Sequence, residues 1–145
     1  SELKDELTRL YIAGGKKEGL LINLVSFGFK YGIPIDADLV FDVRFLPNPY
    51  YIPELKKYSG LDNDIQEYVC SFPETKQFLD KLEDITEFLL PGYQKEGRAQ
   101  LVIGIGCTGG RHRSVALTEF ISERLRKQGH RVKVEHRDIS EEKYD

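Results

Sequence analysis

At 145 residues with 40% hydrophobic side chains, the chain can bury one sizeable core and has the size of a single domain. Its net charge of −3 argues against a generally basic nucleic-acid binder, and no run approaches the ~18 apolar residues that span a bilayer. No secretory signal opens the chain, and Cys70 and Cys107 are too few for a disulfide scaffold and lack zinc-site spacing, so a soluble, cytoplasmic protein with reduced thiols and no membrane partner is expected.

Residues 2–13 predict a short charged helix and GGKKEG a loop. LLINLVSFG (20–28) is an almost continuous apolar run between glycines, the pattern of a strand covered on both faces. LVFDVRFL (39–46) reads as a second strand, with Asp42 and Arg44 emerging on one face near its end. PNPYYIP holds three prolines in seven residues and predicts a rigid loop. DNDIQEYVC (62–70) predicts a short helix; Ser71 and Glu74 then have capping-box spacing, with Phe78, Leu82, Ile85 and Leu89 as the apolar stripe and Pro91–Gly92 as the stop. LVIGIGC (101–107) is the third strand. A helix follows with Leu117, Ile121 and Leu125 on one face up to Gly129, and VKVEHRDI (132–139) is a final edge strand. Alternating strands and helices predict a three-layer α/β sandwich around a mostly parallel sheet with right-handed crossovers.

The segment CTGGRHRS, Cys107–Ser114, falls where the third strand hands over to a helix. A helix start leaves N–H groups unpaired and carries partial positive charge, so the preceding turn can hold an anion. Gly109 and Gly110 let backbone approach a ligand closely, Thr108 and Ser114 add hydroxyls, and Arg111, His112 and Arg113 add charge. The plainer alternative is a glycine turn with solvated arginines and Ser114 as a cap.

In open α/β sheets ligands collect beyond the carboxyl ends of the strands. Three clusters converge there: the loop itself, Lys30 in SFGFKYG, and Asp42, Arg44 and Asn48 in DVRFLPNP. Together they suit a phosphorylated polar metabolite such as a sugar phosphate, with no cofactor or metal implied. Asp42 with Arg44 equally reads as a structural ion pair, and Lys30 as a surface lysine. Residues 111–137 hold eight Lys or Arg against three acids, a segment of +5 that leaves −8 elsewhere. Such a segment steers phosphate-bearing partners or is an ordinary solvated helix face.

SFGFKYG, FDVRFLPNP and the CTGGRHRS loop, in this order and spacing, resemble the C-terminal domain of the RapZ family, including its YvcJ branch, over about residues 20–139. Members of that family join an N-terminal P-loop domain to this α/β domain. No GxxxxGK[ST] motif occurs here, and Met is absent with Ser1 first, so the chain is expected to be a fragment or stand-alone copy without the nucleotide site. The resemblance implies a regulatory RNase adapter that senses glucosamine 6-phosphate, binds small RNA, works through a regulatory protein partner and is homo-oligomeric at full length. It implies phosphate contacts from Thr108, Gly109, His112, Arg113 and Ser114, pocket walls from Asp42 and Arg44, and ligand or RNA contact from Lys30; Arg131 and Lys133 are further RNA candidates. Two departures stand out. Tyr50 replaces the His that follows PNP in the enterobacterial branch, and the ending SEEKYD replaces that branch's basic tail. Losing a polybasic tail removes phosphate contacts, so metabolite sensing carries over more fully than RNA binding.

Cys107 and Arg113 also satisfy the C(X)5R spacing of cysteine-dependent phosphatases, in which a thiolate attacks phosphorus and loop amides hold its oxygens. Asp42 is the candidate proton donor of that alternative. Gly106 stands where a His often precedes the Cys, and no WPD-like loop is evident.

Overall fold

The computed structural model describes residues 17–141. Its strands are β1 (Lys17–Gly28), β2 (Leu39–Asp42), β3 (Gln100–Cys107) and β4 (His130–His136). Its helices are α1 (Asn63–Cys70), α2 (Pro73–Lys95) and α3 (Arg113–Lys127). All strand pairs are parallel, in the order β2-β3-β1-β4, so the chain is the α/β sandwich that the alternating pattern predicts, with β4 at an edge as expected. The helix expected over residues 2–13 and the last residues of the acidic ending lie outside the described residues.

Register explains the core. Ile22 pairs with Leu101 and Val132, and Leu24 with Ile103 and Val134, so these side chains share one face of the sheet. There they join Leu117, Ile121 and Leu125 of α3, Ile65 and Val69 of α1, and Leu79, Leu82 and Leu90 of α2 in one apolar cluster. Each fully buried Leu or Ile contributes roughly 1.5–3 kcal/mol. The opposite face carries Val25, Phe27 and Val102, also buried, with the Phe29 ring edge-on to Phe27 at 4.9 Å. A chain of hydrogen bonds, Ser26 Oγ to His136 Nδ1 at 2.7 Å and His136 Nε2 to Glu119 at 2.8 Å, ties β1, β4 and α3 together.

Several boundaries differ from the sequence reading, each for a local reason. β1 begins within GGKKEG, its register shifting between Lys17 and Leu21 around Gly19 at φ +97°. LVFDVRFL reads as one strand to Leu46, but the ladder ends at Asp42, whose Oδ1 accepts the Arg44 amide at 2.9 Å and turns the chain. PNPYYIP contains one 3-10 turn, Pro49–Tyr51, started by the proline and by Asn48 accepting the Tyr50 amide at 3.1 Å.

Ser71 does not form a capping box. Its amide bonds the Glu67 carbonyl and its Oγ donates to Tyr68 O at 2.6 Å, so it closes α1, and α2 starts at Pro73, where a missing N–H costs nothing. The inward face of α2 is Leu79, Leu82, Thr86 and Leu90, which keeps Leu82 of the predicted stripe and turns the rest of it outward, with Thr75 Oγ1 anchored on Val69 O at 2.6 Å at the start of the helix. Ile85 is left exposed, and Phe78 packs half-buried against Phe41 and Phe45. α2 also runs through Pro91–Gly92 to Lys95: buried Leu90 and core-packed Tyr93 anchor both sides of a proline whose cost is ~3 kcal/mol. Finally, β4 ends at His136, because the buried Asp138 carboxylate takes the Gly28 amide at 2.8 Å and folds Arg137–Ile139 away.

Candidate anion-binding site

Parallel register brings the carboxyl ends of β1, β2 and β3 to one edge: Gly28 pairs with Cys107 and Asp42 with Gly106. The Lys30 amide then donates to Thr108 O at 3.2 Å, joining the first loop to the third. The CTGGRHRS loop lies hard against the end of β1. Gly110 has φ +82°, and a Cβ there would stand 2.5 Å from Gly28 N, so two glycines are required for this approach.

A cavity of about 260 Å³ opens at this edge. Thr108, Gly109, Arg111, His112 and Arg113 border it from the loop, and Lys30, Asn48 and Tyr50 border it from the other two segments. With Cys107, nine of the residues singled out from sequence thus meet around one hollow. Tyr51 borders it as well and was missed, although the doubled tyrosine beside Asn48 was its signal. No carboxylate is among these bordering residues, while Lys30, Arg111 and Arg113 supply cations. A larger, more open hollow of about 450 Å³ on the outer side of α3 mixes Glu119 and Glu123 with Arg126 and Lys127 and offers no comparable cation cluster.

Other predicted residues lie elsewhere. Gly110 supports the loop from behind, and Ser114, fully buried, accepts a hydrogen bond from Cys107 Sγ at 3.1 Å. Asp42 and Arg44 do not border the cavity. They form a bidentate ion pair, with Arg44 Nη2 to Asp42 Oδ2 at 2.6 Å and Arg44 Nε to Asp42 Oδ1 at 2.9 Å, and the Arg44 guanidinium lies 4.1 Å over the Phe29 ring. The hydrogen bond from Arg44 holds the Asp42 carboxyl below the usual carboxylate range, with the Arg113 charge adding to the effect. Asp42 is thereby a paired carboxylate in this structure. Arg131 and Lys133 are exposed on β4 and do not border the cavity.

Arg113 is the electrostatic centre. Although its side chain is only 4% exposed, its Nη1 is spent on two carbonyls, Arg44 O at 3.0 Å and Leu46 O at 2.9 Å. Nη2 donates to Thr108 Oγ1 at 3.2 Å, and Nε is buried without a hydrogen-bond partner among the described residues. An unsatisfied buried donor costs ~1–3 kcal/mol, and more when charged, so the Nε edge is primed for an acceptor. Burial also pulls the Arg113 guanidinium below its ordinary range.

His112 is 5% exposed and starts α3, and its Nε2–H donates to Lys56 O at 3.0 Å. Burial pushes its imidazole below the usual histidine range, with the Lys56 and Tyr58 carbonyls opposing and Arg111 and Arg113 reinforcing the shift. Arg111 clamps two further segments, donating to Lys57 O at 2.7 Å and Ile139 O at 3.0 Å. The loop therefore carries both the cations and the ties that fix the cavity wall.

A parallel α/β sheet with a cationic, glycine-built loop at its carboxyl edge makes this an α/β domain with a candidate anion site. The model of the RapZ C-terminal domain matches residues 20–140, and the chain belongs to that family. It is 58% identical over 142 residues to a nucleotide-binding protein of Clostridium kluyveri and 59% identical over 142 residues to one of Clostridium novyi. It is 54% identical over 141 residues to one of Acetivibrio thermocellus. Each match covers 97% of this chain and 48% of the relative, so the chain spans about half the length of the curated relatives it matches. Among the described residues no helix is long and apolar enough to cross a membrane.

Proposed function

We propose that this chain is the metabolite-sensing domain of a RapZ-family regulatory protein, and that its cavity binds a phosphorylated amino sugar of the glucosamine 6-phosphate kind. The observation that carries this reading is the buried Arg113, which borders the cavity with its Nε unpartnered. In the bound state the phosphate accepts from the Arg113 edge, from Thr108 and from amides at the start of α3, and Lys30 neutralises its second charge. Asn48 and Tyr50 face the sugar. His112 and Arg111 act as positioning groups, because their hydrogen bonds go to the 56–58 segment and to Ile139.

Since the relatives named as nucleotide-binding proteins are about twice as long, and no GxxxxGK[ST] occurs in this chain, we place nucleotide binding in the half of those proteins that this chain does not span. A regulatory protein partner would read the occupied state of the domain, which is cytoplasmic in this reading.

Calorimetric titration with glucosamine 6-phosphate, glucosamine and inorganic phosphate tests the proposal. Saturable binding of the phosphorylated sugar, none of glucosamine, and about tenfold weaker binding in Lys30→Ala is the expected result. Lys30 is chosen over Arg113 because Arg113→Ala would also strip two carbonyls of their donor. If neither phosphate compound binds, the reading fails.

One observation favours a second reading. The Cys107–Ser114 hydrogen bond at 3.1 Å and the C(X)5R spacing match a cysteine phosphatase loop. Phosphate release from p-nitrophenyl phosphate that disappears in Cys107→Ser would replace sensing with catalysis. With Asp42 tied to Arg44, no such release is expected.

A further inference from the structure

We propose that Tyr51 is the residue through which this cavity reads the ring of its ligand, giving a pyranose-borne phosphate preference over an open-chain phosphate or inorganic phosphate. The inference rests on the anion-binding reading of the same cavity. Tyr51 borders that cavity yet is 79% exposed, so its ring is largely unspent in the folded protein.

Its position is fixed all the same. The 3-10 turn Pro49–Tyr51 has a buried proline at its start, and the Tyr51 amide donates to Asn48 O at 3.2 Å. Tyr50 buttresses it, the two rings standing edge-on at 5.5 Å, while Lys56 Nζ lies 4.7 Å over the Tyr50 ring. The chain just beyond the turn is tied to the anion loop, Lys56 O to His112 and Lys57 O to Arg111, which sets the gap between ring and phosphate cradle.

A preorganised, solvent-facing aromatic ring gains most from a ligand that presents a flat apolar face. A pyranose does so with its C–H groups, and an open-chain ester does not. The volume of about 260 Å³ lies below the ~300–1,000 Å³ of drug-sized ligand pockets and fits one ring with its phosphate rather than a nucleotide.

The experiment compares glucosamine 6-phosphate, glycerol 3-phosphate and inorganic phosphate by calorimetry on wild type, Tyr51→Ala and Tyr51→Phe, with circular dichroism to verify folding. Because the ring is exposed, neither substitution opens a core cavity. Tyr51→Ala is expected to weaken glucosamine 6-phosphate about tenfold, leave the other two within about twofold, and so erase the ring preference; Tyr51→Phe keeps it. Equal losses for all three ligands, or no loss for the sugar phosphate, overturn the inference while leaving the cavity an anion site. Absence of phosphate binding in wild type overturns the anion-binding reading, and the role of Tyr51 falls with it.

Discussion

His112 is the residue at which the candidate site and the stability of the domain are coupled. Its imidazole is buried between the anion loop and the 56–58 segment, and burial lowers its proton affinity in the folded state. The unfolded chain, with an ordinary histidine value near ~6.5, therefore binds more protons than the folded one as pH falls. Stability from this group is fully present above ~6.5 and is lost as pH drops from there toward the lowered folded value, at no more than ~1.4 kcal/mol per pH unit. Urea titrations between pH 7.5 and 5 should show a steeper loss in wild type than in His112→Gln, whose amide reaches the Nε2 position and can still donate to Lys56 O. Parallel losses in the two proteins would remove His112 from this role. A bound phosphate opposes the shift, because a nearby dianion favours imidazolium. Ligand should accordingly flatten the wild-type profile.

At the scale of elements, the chain shows what sequence patterns can and cannot encode. Apolar runs in 20–28 and 101–107 gave β1 and β3, and the Leu117–Ile121–Leu125 spacing gave α3, because burial on a sheet dominates those segments. The cavity's charged wall was equally legible, since CTGGRHRS places its donors by chain proximity alone. What stayed hidden depends on individual side-chain hydrogen bonds, some local and some distant in sequence. Asp138 reaching Gly28, Thr75 reaching Val69 and Asp42 turning onto Arg44 each mark a strand end or a helix start that period counting cannot see. Pro91 is the sharpest case, a local stop signal overruled by packing at Leu90 and Tyr93. Because Pro91 is itself exposed, Pro91→Ala should restore a helical N–H without disturbing the core. It should raise stability by ~1–2 kcal/mol, the gain in helix energy being partly offset by a more flexible unfolded chain. Denaturant unfolding with an unchanged m-value checks this, and a lower midpoint in the variant would mean that the proline itself is needed for packing.

Over the whole molecule, the basic segment 111–137 is less available to a polyanion than its net +5 suggests. Arg113 is buried, Arg111 donates to backbone carbonyls, and Arg124 pairs with Asp80 at 2.7 Å. Arg126 bonds Val132 O, Lys127 pairs with Glu123, and Arg137 pairs with Asp138. Arg131 and Lys133 are exposed on β4, and Lys30 borders the cavity. With so many of the segment's cations engaged in a chain of net charge −3, few phosphates are neutralised. Each neutralised phosphate adds about −0.7 to −0.9 to the slope of log affinity against log salt, so filter binding of structured RNA should be weak, with a slope of about −3 or shallower. Arg131→Glu with Lys133→Glu should flatten that slope further while leaving sugar-phosphate binding intact, since neither residue borders the cavity. A slope of about −6 or steeper would require cations now held in ion pairs to exchange their carboxylates for phosphates, making RNA binding a second function of this surface.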